Sequence, residues 1–163
     1  MREKIGAAPE GKTSNLKTPE GFSEAVIRKP SSEEISRISV EDTAELMRKF
    51  LGLAWFLPHL ETYGETPEAE RELKSVVDNT LKTMRELDLV RDRLAANKLD
   101  KKLVEKSREA FINHLFDYLQ FVKARIERFL LPSAKYKKQV AAGASAVPVS
   151  FRELLEAYLR MVH

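Results

Sequence analysis

The sequence predicts an all-α fold: a bundle of about four principal helices that includes a long antiparallel helix pair. Apolar residues recur every three or four positions over several long stretches, and cap residues or prolines bound these stretches. No stretch alternates polar and apolar residues as a half-buried strand does. We therefore divide the chain into an extended arm over residues 1–30 and a helical bundle domain over residues 31–163.

Residues 1–30 are interpreted as an arm because they hold three of the six glycines and three of the seven prolines, with no helical period. Their scattered apolar residues predict little burial, and a disordered tail is the alternative interpretation. The arm is basic, so we expect it to contact phosphates without reading bases. Its candidate residues are Arg2, Lys4, Lys12, Lys17, Arg28 and Lys29.

Helix start signals begin immediately after the arm. Ser31 and Glu34 have the spacing of a side-chain cap that is answered three residues later. Ser39 occupies the same position before a helix that we expect from about Val40 to Leu57. Pro58 should end that helix, since proline cannot continue the backbone hydrogen-bond ladder.

Two longer helices follow. Thr66 and Pro67 are a cap and a proline at the first helical position, and the helix they start should end near Asn97. Asp100 should cap the next helix, which Pro132 closes. Each would contain roughly 30 residues and extend about 45 Å. The short link between them predicts that they are antiparallel neighbours.

The last helix is predicted from a capping box made by Ser150 and Glu153. Val149 and Leu154 have the spacing of a hydrophobic staple across the same start. This helix should run to the C-terminus, and the chain contains no internal repeat.

No residue pattern predicts catalysis. His59, His114 and His163 have neither a partner at metal-ligand spacing nor a neighbouring carboxylate in a catalytic arrangement. The chain has no cysteine, which excludes disulfides, thiolate metal sites and cysteine nucleophiles. Glycine-rich phosphate loops and hydrolase motifs are also absent from the sequence. We therefore predict a protein that is not an enzyme and uses no cofactor or metal.

Three aromatic residues are candidates for a subunit interface. Trp55 and Phe56 belong to an apolar run that leaves no wet face for a surface helix. Phe116 lies beside the apolar stripe of the third helix and widens it enough to contact two neighbours. Burial against another copy is one interpretation, and a central helix of a monomer would give the same pattern.

Charge is distributed unevenly along the chain. Residues 1–30 carry a net charge of +2, residues 31–99 of −4 and residues 100–163 of +5. Lys135, Lys137 and Lys138 follow Pro132, and no acidic residue lies between Pro132 and Arg152. We interpret these three lysines as candidates for phosphate contact, although simple solvation is the alternative.

A basic arm, a helical bundle with surplus apolar surface, and a charged composition poor in Asn and Gln together resemble the α-helical coat proteins of filamentous viruses of hyperthermophilic archaea. The resemblance is architectural. It implies a nucleocapsid subunit of a virion that packs with copies of itself or a related helical subunit. It also implies sequence-independent binding of duplex DNA through phosphates.

Two further interpretations stay open. The long helix pair is also similar to the helical domain of GINS replisome subunits, and small helical subunits of CRISPR effector complexes share this size and charge. A helical scaffold without nucleic acid is the third possibility.

The prediction of localisation rests on two features that the sequence lacks, a secretory signal and a membrane-spanning segment. Residues 1–22 contain no continuous apolar stretch of the kind a secretory signal needs. The longest apolar run, Phe50–Pro58, is too short for a membrane span. We therefore expect no secretion by a signal peptide and no membrane span, with the protein in the virion, or in the cytoplasm if it is cellular.

Overall fold

The computed structural model of the protein describes residues 15–87 and 101–162, with side chains from Ser107 onward in the second range. All regular structure in these ranges is helical, which confirms the all-α prediction. Three short 3₁₀ turns occupy Asn15–Lys17, Gly52–Trp55 and Leu60–Tyr63, and a π turn over Ile126–Leu130 continues the longest helix. The α-helices are α1 (Pro19–Glu24), α2 (Ser32–Ser36), α3 (Val40–Leu51), α4 (Pro67–Glu86), α5 (Lys101–Arg125), α6 (Ala134–Ala141) and α7 (Val149–Val162).

The predicted starts of α2, α3 and α4 are confirmed. Ser31 and Glu34 form a complete capping box, in which the Ser31 N–H donates to the Glu34 carboxylate at 2.9 Å. The hydroxyls of Ser39 and Thr66 each accept from the backbone N–H three residues later, at 3.0 Å. These bonds satisfy N–H groups that a helix start leaves without partners.

The core lies where α3 meets α5 and α7. Phe50 of α3 packs edge to face on Tyr118 of α5, with 5.2 Å between ring centroids. Phe151 of α7 is fully buried and contacts the ring of Phe22 in the same manner at 5.9 Å. Burying one such side chain stabilises the fold by about 1.5–3 kcal/mol, so these aromatic pairs tie four elements together.

Helices α4 and α5 contact each other through side chains of residues 72–86 and 114–125. A buried hydrogen bond joins them at the centre: the Thr80 hydroxyl donates to the Val76 carbonyl at 2.7 Å and so accepts from the Tyr118 hydroxyl. Burial raises the pKa of Tyr118, which keeps it a neutral donor. The predicted end of α4 near Asn97 and the cap at Asp100 lie outside the described residues. Among the described side chains, those that join the two helices are Glu72 with Arg125, Thr80 with Tyr118, and Glu86 with His114.

Residues 15–30 are packed on the helices, so the prediction of little burial is wrong for this part of the arm. Leu16 and Phe22 are fully buried, and Ile27 is nearly so. Gly21 permits this packing, because a Cβ there would lie 2.0 Å from the Asn15 carbonyl oxygen. Leu16 lies in the first 3₁₀ turn, Phe22 in the short helix α1 and Ile27 after it. No single long helical period therefore connects these three buried side chains.

Two predicted helix boundaries are also wrong. Helix α3 ends at Leu51, and the chain tightens into the 3₁₀ turn Gly52–Trp55 instead of continuing to Leu57. Helix α7 begins at Val149, because the Pro148 carbonyl already accepts from the Arg152 N–H at 2.9 Å. Ser150 therefore lies inside the first turn and is not the cap. Burial of Phe151 in the core sets this start more strongly than the local cap preference does.

Candidate nucleic-acid interface

The three candidate lysines near the C-terminal end stand on helix α6. The sequence predicts that Pro132 closes the preceding helix, and the structure adds that Ser133 starts a new helix directly after the proline. The Ser133 hydroxyl accepts from the Tyr136 N–H at 3.3 Å. The sequence signal that could have predicted α6 is a serine cap, Ser133, next to a helix-ending proline, Pro132.

Tyr136 fixes the orientation of α6. Its side chain is 8% exposed, and its ring packs edge to face on Tyr63 with 5.4 Å between centroids. Its hydroxyl donates to the Ser145 carbonyl at 2.9 Å. Burial, with a smaller contribution from Tyr63, raises the pKa of Tyr136 to about 12, so the phenol stays a neutral donor. The helix therefore presents one fixed face to the core.

With Tyr136 facing inward, a rotation of about 100° per residue directs the flanking residues outward. Lys135 and Lys137 lie on either side of the buried face, and Lys138 lies opposite it. All three lysines are exposed. The helix has no acidic residue of its own, and the sequence has none from Arg128 to Arg152.

An acid from another element does approach α6, but it binds the backbone. The Glu65 carboxylate accepts from the N–H groups of Ala134 and Lys135, the latter at 3.2 Å, and lies 3.3 Å from the Ser133 hydroxyl. A carboxylate at a helix start is stabilised there by the helix dipole. The Lys135 amine donates to the Thr62 carbonyl at 3.0 Å. Within the described residues, no group accepts a hydrogen bond from the amines of Lys137 and Lys138.

Arg28 differs from these lysines because it forms an ion pair within the fold. Its guanidinium donates two hydrogen bonds to the Glu34 carboxylate, at 3.2 and 2.9 Å. These bonds, helped by the Ser31 N–H, lower the pKa of Glu34 from its ordinary value to about 2. The Arg28 carbonyl also accepts from the hydroxyl of Tyr158 in α7 at 3.1 Å. This residue therefore has a structural role.

The remaining basic candidates do not share α6. Lys17 is exposed on the first 3₁₀ turn, which packs on α7, and Lys29 is exposed between α1 and α2. Arg2, Lys4 and Lys12 lie outside the described residues.

The three candidate interface residues differ in exposure. Trp55 is 88% exposed, whereas Phe56 is half-buried and packs on Phe151 with 6.3 Å between ring centroids. Phe116 is also half-buried, against the core of its own chain. The tight 3₁₀ turn explains why Trp55 is exposed, because it directs Leu53 fully inward and the Trp55 ring outward.

A cleft of about 350 Å³ lies between the Trp55 turn and α6. The rings of Trp55, Phe56, Tyr63 and Tyr136 line it, and Leu130 reaches it from the π turn that ends α5. Among the described residues, its lining includes two serines but no charged side chain. The sequence analysis did not identify this cleft, because it joins residues far apart in the chain.

Comparisons with protein-family models, with curated proteins and with solved structures gave no match. Over the described ranges, no cluster of three or more His, Asp and Glu side chains could hold a metal ion. No helix in the same ranges is long and apolar enough to cross a membrane. Function is therefore inferred from α6 and its surroundings.

Proposed function

We propose that the protein is a non-enzymatic nucleic-acid-binding protein that contacts phosphates through the lysines of α6. The observation that carries this proposal is a helix anchored by Tyr136, with three exposed lysines and no acidic side chain of its own. Lysine amines bind phosphate oxygens as point charges and read no sequence. Binding should therefore depend on charge and be indifferent to base order.

The size of this contact favours binding by many copies. Each neutralised phosphate contributes about −0.9 to the slope of log affinity against log salt concentration, so three lysines give roughly −2.7 per subunit. A slope this small corresponds to weak binding by one subunit. Copies arranged along one nucleic acid would add their contacts, as expected of an assembly protein.

We further propose that the bound nucleic acid is duplex DNA and that the assembly is a virion nucleocapsid built with copies of the chain or a related helical subunit. The net charge of +5 on residues 100–163 supports this role. The two long helices would form the antiparallel pair of a helical bundle. The order of their contacts supports that arrangement, because Glu72 pairs with Arg125 and the later Glu86 with the earlier His114.

The test is binding of the purified full chain to two duplex DNAs of unrelated sequence, at about 50 and 200 mM salt, with the products imaged by electron microscopy. We expect equal affinity for both sequences, a steep loss of affinity at the higher salt, and filaments that protect DNA from nuclease. A protein that ignores both duplexes at low salt would contradict the proposal, as would strong preference for one sequence. Binding without filaments would remove the nucleocapsid role alone.

A further inference from the structure

Trp55 is the most exposed large apolar side chain in the described part of the protein, at 88%. It is also the single tryptophan of the chain. Indole rings are usually largely buried because of their apolar area, so a ring this exposed suggests an intermolecular contact. The inward contacts of this turn are made by the adjacent Leu53 and Phe56. The Trp55 ring makes none of them, so it is left for a contact outside its own fold.

The surroundings of Trp55 indicate what kind of molecule it contacts. The cleft beside it is walled by aromatic rings and includes Ser145 and Ser150. Its Tyr136 wall belongs to α6, where Lys135 and Lys137 flank the tyrosine. An uncharged aromatic slot beside a helix that carries exposed lysines complements a flat aromatic group that is linked to phosphates. Nucleotides have this chemistry.

We propose that Trp55 and this cleft bind an unpaired nucleobase of a strand whose phosphates lie along the lysines of α6. This inference rests on the proposed phosphate contact, because the lysines hold the strand that brings a base to the tryptophan. Stacking on an aromatic ring is open to every base, so it adds affinity without sequence preference. The bases of an intact duplex are stacked on each other, so the cleft would take a base from an unpaired segment or a strand end of the bound DNA.

Charge argues against a second copy as the occupant of the cleft. The chain carries a net charge of +3, so a second copy would have to turn part of its acidic residues 31–99 toward the α6 lysines to avoid repulsion. A strand of nucleic acid meets those lysines with phosphates along its whole length.

The experiment is a fluorescence titration of the full chain at low salt with two oligomers of equal length: single-stranded DNA, and the same sugar-phosphate backbone without bases. Emission reports on Trp55 alone, because the chain has one tryptophan. We expect quenching by the base-bearing strand and little change with the abasic one. Trp55→Ala should weaken binding of the base-bearing strand about tenfold and leave abasic binding unchanged. Because Trp55→Ala is non-fluorescent, these affinities are measured by anisotropy of end-labelled oligomers.

Two control variants guard against indirect effects. Trp55→Phe keeps a stacking ring and should recover most of the lost affinity. Val26→Ala truncates another exposed apolar side chain, 77% exposed, and should have no effect.

Each other outcome is decisive. Equal affinity for both oligomers with unchanged fluorescence would overturn this inference and leave the phosphate contact standing. Failure to bind either oligomer, by a protein that binds duplex DNA at the same salt, would overturn this inference alone, and failure to bind duplex DNA as well would overturn both proposals. A fluorescence change that depends on protein concentration, without nucleic acid, would show that a second copy covers the cleft.

Discussion

Arg28 and the lysines of α6 are all basic, but the fold pairs Arg28 with an acidic side chain and leaves the α6 lysines without such a partner among the described residues. The acid beside Arg28 is Glu34, and its two oxygens accept from the guanidinium. The acid beside α6 is Glu65, and it accepts from backbone N–H groups at the helix start. The α6 lysines stay available because the nearest acid binds the backbone, whereas Arg28 is occupied because its nearest acid binds the guanidinium.

A third basic region, Lys123 and Arg125, lies near the end of helix α5. The Lys123 amine lies 2.9 Å from the Glu127 carboxylate, and its side chain is only 11% exposed. Arg125 donates to Glu72 of α4 at 3.0 Å and stacks over the Phe121 ring. Arg125 links α5 to α4, and Lys123 is paired within its own helix, so both have structural roles, as Arg28 does.

The largest effect should come from the core of the N-terminal segment. Phe22→Ala removes a fully buried ring that packs on Phe151, so we expect a loss of about 3–5 kcal/mol in the free energy of unfolding, measured with denaturant. Lys29→Ala, at an exposed site in the same segment, is the control and should change stability by less than about 0.5 kcal/mol. Equal, small effects of both changes would mean that residues 15–30 are not part of the core.

A smaller effect is expected from the ion pair of Arg28, and its pH dependence identifies it. The pKa of Glu34 is lowered from 4.5 to about 2, so its contribution is fully present above pH 4.5 and is lost as pH falls through about 2. Glu34→Gln keeps the shape of the capping box and removes the charge. The stability difference between the wild type and this variant should therefore shrink between pH 4.5 and 2.

Unfolding measured across that pH range checks this prediction, with Glu33→Gln as the control. Glu33 pairs with Arg37 on the surface, where both side chains are more than two-thirds exposed, so its substitution should have little effect. A constant difference between wild type and Glu34→Gln from pH 6 to 2 would show that the Arg28 pair does not stabilise the fold.

Sequence reasoning succeeded where the determinants are local. Ser31, Ser39 and Thr66 were identified as caps because the groups they satisfy lie three residues away. Helix α1 was missed, although Thr18 and Pro19 repeat the cap-and-proline signal of α4. A Gly/Pro-rich composition suggested an arm and concealed that signal.

The candidate site could be predicted only in part. The absence of acids after Pro132 identified Lys135, Lys137 and Lys138 from the sequence alone. Their placement depends on Tyr136 packing against Tyr63. Their freedom from ion pairing depends on Glu65, about 70 residues away in the chain, binding the backbone of α6. Neither contact has a periodic signature, since each joins elements that are distant in the chain.

The salt dependence of duplex binding tests the difference between the two basic regions most directly. Replacing both Lys137 and Lys138 with Ala should reduce the slope of log affinity against log salt by about 1.8, because two phosphate contacts are lost. Arg28→Ala should leave that slope unchanged, since its guanidinium is paired with Glu34. An unchanged slope in the double variant, or an equal reduction in Arg28→Ala, would contradict the proposal that the α6 amines, and not Arg28, contact phosphates.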